Sequence, residues 1–315
     1  MPVIDTSIYS GNDRLLLENC TLCPRECGID RFEGGSGYCG TDAGFNIASV
    51  CIHRGEEPVI SGSNGICNIF FRGCNLRCIY CQNHEISRVT FNDRSEPNLA
   101  VIIEQVTEIL EQGVTAVGFV SPSHVVPQVK VIIEALHAKG FDPVIVYNTN
   151  SYDKADTIRS LEGMIDVYLP DIKYVTPHIA AEYSDASDYP AVALKAVKEM
   201  YYQKGSVLRT DDRGRAENGL LIRHLVLPGH AEESKLLLTA IAEELSTGVT
   251  ISLMSQYHPT PQVFNHSTLG RSLYREEYES VIKTMEDLGF RNGWTQDMDS
   301  YLNYRPDFSR NHPFG

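Results

Sequence analysis

Downstream of residue 66, short apolar runs alternate with segments whose apolar residues recur every three or four positions. The runs at 67–72, 114–120, 143–147, 165–169, 221–227 and 249–254 predict strands, and 98–112, 127–138, 153–162, 189–203, 232–246 and 275–288 predict helices. The clearest helix is 98–112, where Ile102, Ile103, Val106, Ile109 and Leu110 share a face, Asn98 can cap the start and Gly113 can end it. Strand and helix in alternation predict a parallel sheet with crossover helices, and six such units predict an open or partial barrel. In that architecture the loops after the strand C-termini surround the ligand site, so polar residues there count for most. There is no internal repeat, low-complexity tract or flexible linker, and EGGSGYCG at 33–40 reads as a tight loop around Cys39.

The 315 residues are 42% hydrophobic, enough for a full core in one large domain or one domain with a small addition. A formal net charge of −14 gives no general attraction to phosphate backbones, so no nucleic-acid partner is expected. No stretch approaches the roughly 18 to 20 apolar residues of a membrane span, and MPVIDTSIYSGNDR lacks the basic start and apolar run of a secretory signal. The cysteines are therefore expected to be reduced thiols in a cytoplasmic protein with no membrane partner. Neither a phosphate-binding G-x4-G-K-[ST] loop, an H-E-x-x-H helix nor a G-x-S-x-G elbow occurs, which leaves a hydrolase reading without support.

What changes the picture is that all nine cysteines lie between Cys20 and Cys81. Cys74, Cys78 and Cys81 follow an apolar strand at C-x3-C-x2-C spacing, on a loop short enough to wrap one inorganic cluster. Three thiolates on a [4Fe–4S] cluster leave one iron open, and that iron can chelate the amino and carboxylate groups of S-adenosylmethionine. A structural zinc site is the plainer alternative, but it normally has four ligands. Upstream, Cys20, Cys23, Cys27 and Cys39 form a four-thiol set that suits either zinc or a second iron–sulfur cluster, in a structural or electron-relaying role. Cys51 and Cys67 lie in apolar strand-like runs and read as buried small hydrophobes. His53, Glu56 and Glu57 read either as charges on a turn surface or as lining of a site facing the cluster.

With an aromatic residue before its third cysteine and Gln82-Asn83 after it, the loop GCNLRCIYCQN at 73–83 resembles the radical SAM superfamily. HRGEEPVISG at 53–62, LPDIKY at 169–174, RHLVLPGH at 223–230 and SLMSQYHP at 252–259 extend the likeness through nearly the whole chain. Together they resemble the pyruvate formate-lyase-activating enzyme-like group, in particular homologues with an extra N-terminal cysteine motif. The resemblance implies an α/β fold: a partial (β/α)6 radical SAM barrel at 63–315 after a small cysteine-rich, metal-binding extension at 1–62. It implies that S-adenosylmethionine lies across the strand C-termini, with Asp171 and Lys173 near its ribose or carboxylate, Arg223 and His258 contributed by the next two strands, and Asn83 beside the cluster loop. One departure concerns the second strand, which ends in SPSHV at 121–125 where the family usually has a Gly-Gly-Glu-like segment for the cofactor amino group. Ser121, Ser123 and His124 can substitute as acceptors, while a plain helix start at Val125 capped by Ser123 is the alternative. Asn148 stands where a better-studied activating enzyme has an acid that helps bind a monovalent cation, which leaves such a cation site unsupported.

The implied activity is reductive cleavage of S-adenosylmethionine to a 5′-deoxyadenosyl radical that abstracts hydrogen from a substrate. By resemblance the substrate is a glycyl radical enzyme partner, and flavodoxin or ferredoxin is the electron donor. Modification of a small molecule or peptide is the competing enzyme reading. An iron–sulfur electron carrier or redox sensor is the competing class, but it would have no use for Asp171, Lys173 and His258 at strand ends. Tyr257 is expected near the substrate, and Trp294 and Gln296 in a terminal segment docked on the domain.

Overall fold

The computed structural model describes residues 5–34, 37–88, 98–300, 306–310 and 313–314. The tight loop expected at 33–40 therefore includes two residues, 35 and 36, outside the described set. In chain order the elements are α1 (Gly11–Glu18), β1 (Ile47–His53), α2 (Pro58–Ser61), β2 (Ile66–Phe71), α3 (His84–Ser87), α4 (Leu99–Leu110), β3 (Ala116–Val120), α5 (Val126–Ala138), β4 (Val144–Thr149) and α6 (Ala155–Arg159). They continue with β5 (Val167–Pro170), α7 (Pro177–Ser184), α8 (Tyr189–Lys204), β6 (Arg209–Thr210), β7 (Ala216–Leu225), α9 (Ala231–Glu244), β8 (Thr250–Met254), α10 (Arg275–Asp287) and β9 (Gly293–Thr295). The expected strands are β2, β3, β4, β5, β7 and β8, and the expected helices are α4, α5, α6, α8, α9 and α10.

The strands stand in the order β1-β2-β3-β4-β5-β7-β8-β9, with β6 hairpinned onto β7. From β2 to β9 this path is parallel, whereas β1 and β6 pair antiparallel. Parallel strands in sequence order with helical crossovers are the partial barrel expected. β2, β3 and β8 are buried at every residue, which is why they read as continuous apolar runs rather than as alternation. β1 carries Cys51 and β2 carries Cys67, and both thiols are buried as expected of small hydrophobes.

α4 begins where the Asn98 carboxamide oxygen accepts from the Val101 N–H at 3.1 Å, and the chain turns away at Gly113, whose φ of +90° suits glycine. It lays Ile102, Ile103 and Val106 on the outer face of the sheet, beside Val129, Ile132 and Leu136 of α5. Tyr9, Leu17, Leu22, Ala43 and Phe45 join the same core, so the division at residue 62 does not coincide with a gap in packing. A second, tyrosine-rich core forms at the strand C-termini from Tyr80, Tyr152, Tyr174, Tyr183, Tyr189 and Tyr257 with Leu76 and Leu227. Among the described residues no helix is long and apolar enough to cross a membrane.

Candidate functional site

The loop after β2 is held from both sides. Gly73, at φ +74°, packs so tightly on the N-terminal segment that a Cβ there would lie 2.2 Å from the Cys39 carbonyl oxygen. Only glycine fits the approach, and it fixes where Cys74 begins. Leu76 and Tyr80 then anchor the loop in the tyrosine-rich core, where Tyr80 and Tyr174 share a hydroxyl hydrogen bond of 2.6 Å. The amides of Arg77 and Ile79 donate to the carbonyls of Ser184 and Tyr183 at 3.2 and 2.9 Å.

Each of the three thiols has a polar neighbour. Asn150 Nδ2 and the Leu76 amide each approach Cys74 Sγ at 3.4 Å, Ser184 Oγ donates to Cys78 Sγ at 3.0 Å, and Ser87 Oγ lies 3.5 Å from Cys81 Sγ. Burial pushes the Cys74 thiol up to about 12, with the neighbouring Cys78 adding to it, and burial also raises Cys78 despite Lys173. Such thiols stay protonated until a metal takes the proton's place, and the donors around them suit sulfur that carries metal-bound charge.

Cys74, Cys78 and Cys81 line one end of a cavity of about 520 Å³ at the strand C-termini. Most of the lining comes from the end of a parallel strand or the loop after it: Ser121 follows β3, Asn148 and Asn150 bracket the end of β4, Asp171 and Lys173 follow β5, and Arg223 and Leu225 close β7. Lys173 Nζ donates to Asp171 Oδ2 at 3.1 Å. Burial by itself would lower the Lys173 ammonium, but Asp171 and Cys78 override it and hold the amine charged. Asp171 Oδ1, in contrast, is buried with no hydrogen-bond partner. A carboxylate oxygen left unsatisfied at that depth is costly unless a ligand donates to it. Three thiols on one loop and an orphan carboxylate oxygen across the same cavity fit a three-thiolate [4Fe–4S] cluster with S-adenosylmethionine beside it.

The opposite wall holds a buried charge knot. Arg223 donates from Nε to Glu57 at 2.9 Å and from Nη2 to both Glu56 and Glu57. His53 Nδ1 and Asn68 Nδ2 donate to Glu56 at 3.1 and 2.8 Å. Burial would raise the Glu56 carboxyl, but the Arg223 guanidinium and then His53 hold it well below the usual carboxylate range. The turn-surface alternative for His53, Glu56 and Glu57 is thus overturned: His53 and Glu57 are buried, the Glu56 side chain is 8% exposed, and all three line the cavity. Arg223 lines it too, yet its guanidinium is committed to the two glutamates rather than turned to a cofactor.

Of the other residues singled out in the sequence, Asn83 and Ser121 line the cavity, while Ser123, His124, Tyr257 and His258 do not. Ser123 does not cap α5, which starts at Val126 with no side-chain cap; its hydroxyl lies 3.0 Å from Thr149 Oγ1. His124 is instead among the residues that line the void between the N-terminal cysteines. His258 is half-buried, with its Nδ1 3.4 Å from Gln82 Nε2, one residue removed from the lining. Tyr257 is buried in the tyrosine core, donating to the Leu269 carbonyl at 2.6 Å. Asn150, Gln256 and Phe314 line the cavity without having been foreseen, and Trp294 and Gln296 line it rather than merely docking a terminal segment. Phe314 lies with its ring 4.0 Å from that of His53 and 5.6 Å from Phe70. Asn150 and Gln256 share the strand-end position of Asp171, which is the signal that could have found them; nothing in the sequence tied Phe314 to β1 and β2.

Thiols and an acid–lysine pair gathered at the open end of a parallel partial barrel are what a three-thiolate cluster with a bound S-adenosylmethionine would require, and residues 68–206 match the model of the Radical SAM superfamily. The matched segment is somewhat under half of the chain and contains Cys74, Cys78, Cys81, Asp171 and Lys173. Among curated proteins it is similar to the uncharacterized protein MJ0674 of Methanocaldococcus jannaschii, 27% identical over 281 residues, covering 86% of this chain and 75% of that protein. Among solved structures it is similar to a domain of a pyruvate-formate lyase-activating enzyme from Bacteroides vulgatus, at 15% identity and a TM-score of 0.39, covering 53% of this chain and 91% of that one. It is also similar to SuiB of Streptococcus suis bound to S-adenosylmethionine, at 15% identity and a TM-score of 0.48, covering 73% of this chain and 50% of that one.

Proposed function

We propose that this chain reductively cleaves S-adenosylmethionine and turns the resulting 5′-deoxyadenosyl radical on a C–H bond of its substrate. The observation that carries this reading is the single cavity lined at one end by three half-buried thiols and, beside them, by a charged Lys173 and the unpartnered oxygen of Asp171. When bound, the cluster supplies the electron and its open iron the seat for the cofactor's amino and carboxylate groups. Asp171 then accepts from a cofactor donor, Lys173 holds that carboxylate in place, and the tyrosine layer beneath keeps water from the thiols.

The substrate assigned first is a glycine in a partner glycyl radical enzyme, following the activating-enzyme-like motifs, with flavodoxin or ferredoxin as reductant. In its favour, Thr295 and Asp297 on the cavity wall are exposed, so the cavity reaches the surface. Phe314 against His53 and Phe70 favours a second reading, a small molecule or peptide, because it narrows a cavity already within the size range of small-ligand pockets.

Anaerobic incubation of reconstituted protein with S-adenosylmethionine and dithionite, beside a Cys78→Ala control, tests the reaction class. Cluster-dependent 5′-deoxyadenosine is expected. Its absence from protein with a verified, reducible cluster, with candidate substrates present, would leave the electron-carrier class standing. A glycyl radical signal on an added partner would separate the protein substrate from a small one.

A further inference from the structure

On the outer side of the cluster loop, Cys20, Cys23, Cys27 and Cys39 surround one small void. We infer that these four thiolates hold a second [4Fe–4S] cluster, and that Arg31 is buried beside it as its counter-charge.

Arg31 is 1% exposed. Its guanidinium donates to the His124 carbonyl at 2.6 Å, to the Asp42 carbonyl at 2.6 and 3.2 Å, and to Thr41 Oγ1 at 2.8 Å. Each of these acceptors is uncharged, so none of them offsets the removal of a full positive charge from water. Arg31 also lines the void that the four thiols share, and four thiolates around a [4Fe–4S] core of charge +2 carry a net charge of about −2. The centre and the guanidinium thus explain each other's burial.

His124 gives a second, independent observation. It is 1% exposed and lines the same void. Its Nε2 donates to the Arg72 carbonyl at 2.9 Å, while its Nδ1 has no hydrogen-bond partner. A buried imidazole with one nitrogen outside ordinary hydrogen-bond geometry adds a second polar group, beside Arg31, to the lining of a thiol-rich void. The surrounding backbone is shaped to sulfur as well. The Tyr38 amide donates to Cys27 Sγ at 3.3 Å, and a Cβ on Gly37 would stand 2.9 Å from that sulfur.

Spacing selects iron–sulfur over zinc. Tetrahedral zinc draws its sulfurs to about 2.3 Å, hence to within about 3.8 Å of one another. The void that Cys20, Cys23, Cys27 and Cys39 line measures about 10 Å³, room that four sulfurs drawn in around one zinc would not leave. Thiolates that bind four separate irons stand wider apart.

Metal and sulfide analysis of anaerobically prepared protein tests this. Wild type should carry about eight irons and about eight labile sulfides per chain, and Cys23→Ala and Cys78→Ala about four each. About four irons in wild type, all lost in Cys78→Ala, would overturn the inference whether or not 5′-deoxyadenosine forms. One zinc that disappears in Cys23→Ala would overturn it in favour of zinc. Eight irons without 5′-deoxyadenosine, from reducible clusters with candidate substrates present, would leave it standing and remove the proposed function instead. The wild-type count does not depend on whether Cys23→Ala folds. In a Cys78→Ala background, where the remaining signal belongs to the second cluster, Arg31→Gln should shift the reduction potential to more negative values at unchanged iron content. An unchanged potential would remove Arg31 from its role as counter-charge.

Discussion

Replacing Arg223 with methionine leaves Glu56 and Glu57 facing each other in a wall where their side chains are 8% and 7% exposed. Breaking a buried pair by removing one partner costs about 3–5 kcal/mol, because the survivor's charge stays uncompensated. The structure offers one escape, which is for a glutamate to take a proton. At pH 7 that costs about 1.36 kcal/mol for each of the roughly 2.7 pH units above an ordinary glutamate pKa, or about 3.7 kcal/mol. The escape becomes cheaper as pH falls, so the sign is fixed. In wild type, Glu56 sits below the usual carboxylate range, and its contribution is present above an ordinary glutamate pKa and lost on further acidification. In Arg223→Met the unpaired carboxyl is raised, the folded state binds the extra proton, and stability relative to wild type recovers by about 1.4 kcal/mol per pH unit between pH 7 and 5. Guanidinium unfolding of anaerobic, cluster-loaded protein, followed by circular dichroism at several pH values, reads the difference. A loss at pH 7 below about 1 kcal/mol, or one that does not change with pH, would refute the reasoning, and Glu57→Gln added to Arg223→Met should restore most of the loss.

Asp171→Ala should weaken S-adenosylmethionine binding about 10- to 100-fold, the worth of one charge-assisted hydrogen bond, with the cluster's absorption spectrum unchanged by titration. Gly118→Ala places a Cβ 2.2 Å from Asn68 Oδ1, pushing Asn68 off Glu56, and should cost about 1–3 kcal/mol in unfolding experiments. Burial lowers His224 to about 4, so its ring should show no protonation by NMR down to about pH 5; its stabilising contribution is full above about pH 6.5 and falls away as pH drops toward 4.

The barrel was legible because fully buried parallel strands advertise themselves as unbroken apolar runs, and because α4 carries both its cap and its stop within the sequence. Cys74, Cys78 and Cys81 were legible because their ligand spacing is local. Asp171, Lys173, Asn83 and Ser121 came from the motifs of the resemblance, with strand-end position in support for Asp171, Lys173 and Ser121. His124 was misplaced because SPSHV leaves a strand end and turns at once, and sequence cannot say to which side of the sheet the fourth residue of a turn points. Glu56 and Glu57 were left open because their partner, Arg223, lies more than 160 residues away, and only the fold shows that the HRGEEP turn is buried. β9 was missed for the same kind of reason: a three-residue strand has too little periodicity to register.

The charge knot bears on the cofactor pocket because Asp171 and Arg223 are paired across the junction of β5 and β7. A free guanidinium at Arg223 would have a carboxylate beside it, and Asp171 Oδ1 would no longer lack a partner. Glu56 and Glu57 occupy the guanidinium and so leave that oxygen available to a ligand. Stability alone does not call for two buried glutamates, since well-packed apolar side chains can replace a buried ion cluster without loss. In Glu56→Gln combined with Glu57→Gln, Arg223 turns to Asp171 for its counter-charge, so the protein should still fold, at some cost in stability, and load its cluster, while S-adenosylmethionine affinity falls about tenfold. The same pair of changes made on Asp171→Ala should lower affinity no further, because the oxygen they compete for is already gone. Equal losses in the two backgrounds, read by equilibrium binding, would mean that the glutamates act on the cofactor by some route other than Arg223 and Asp171.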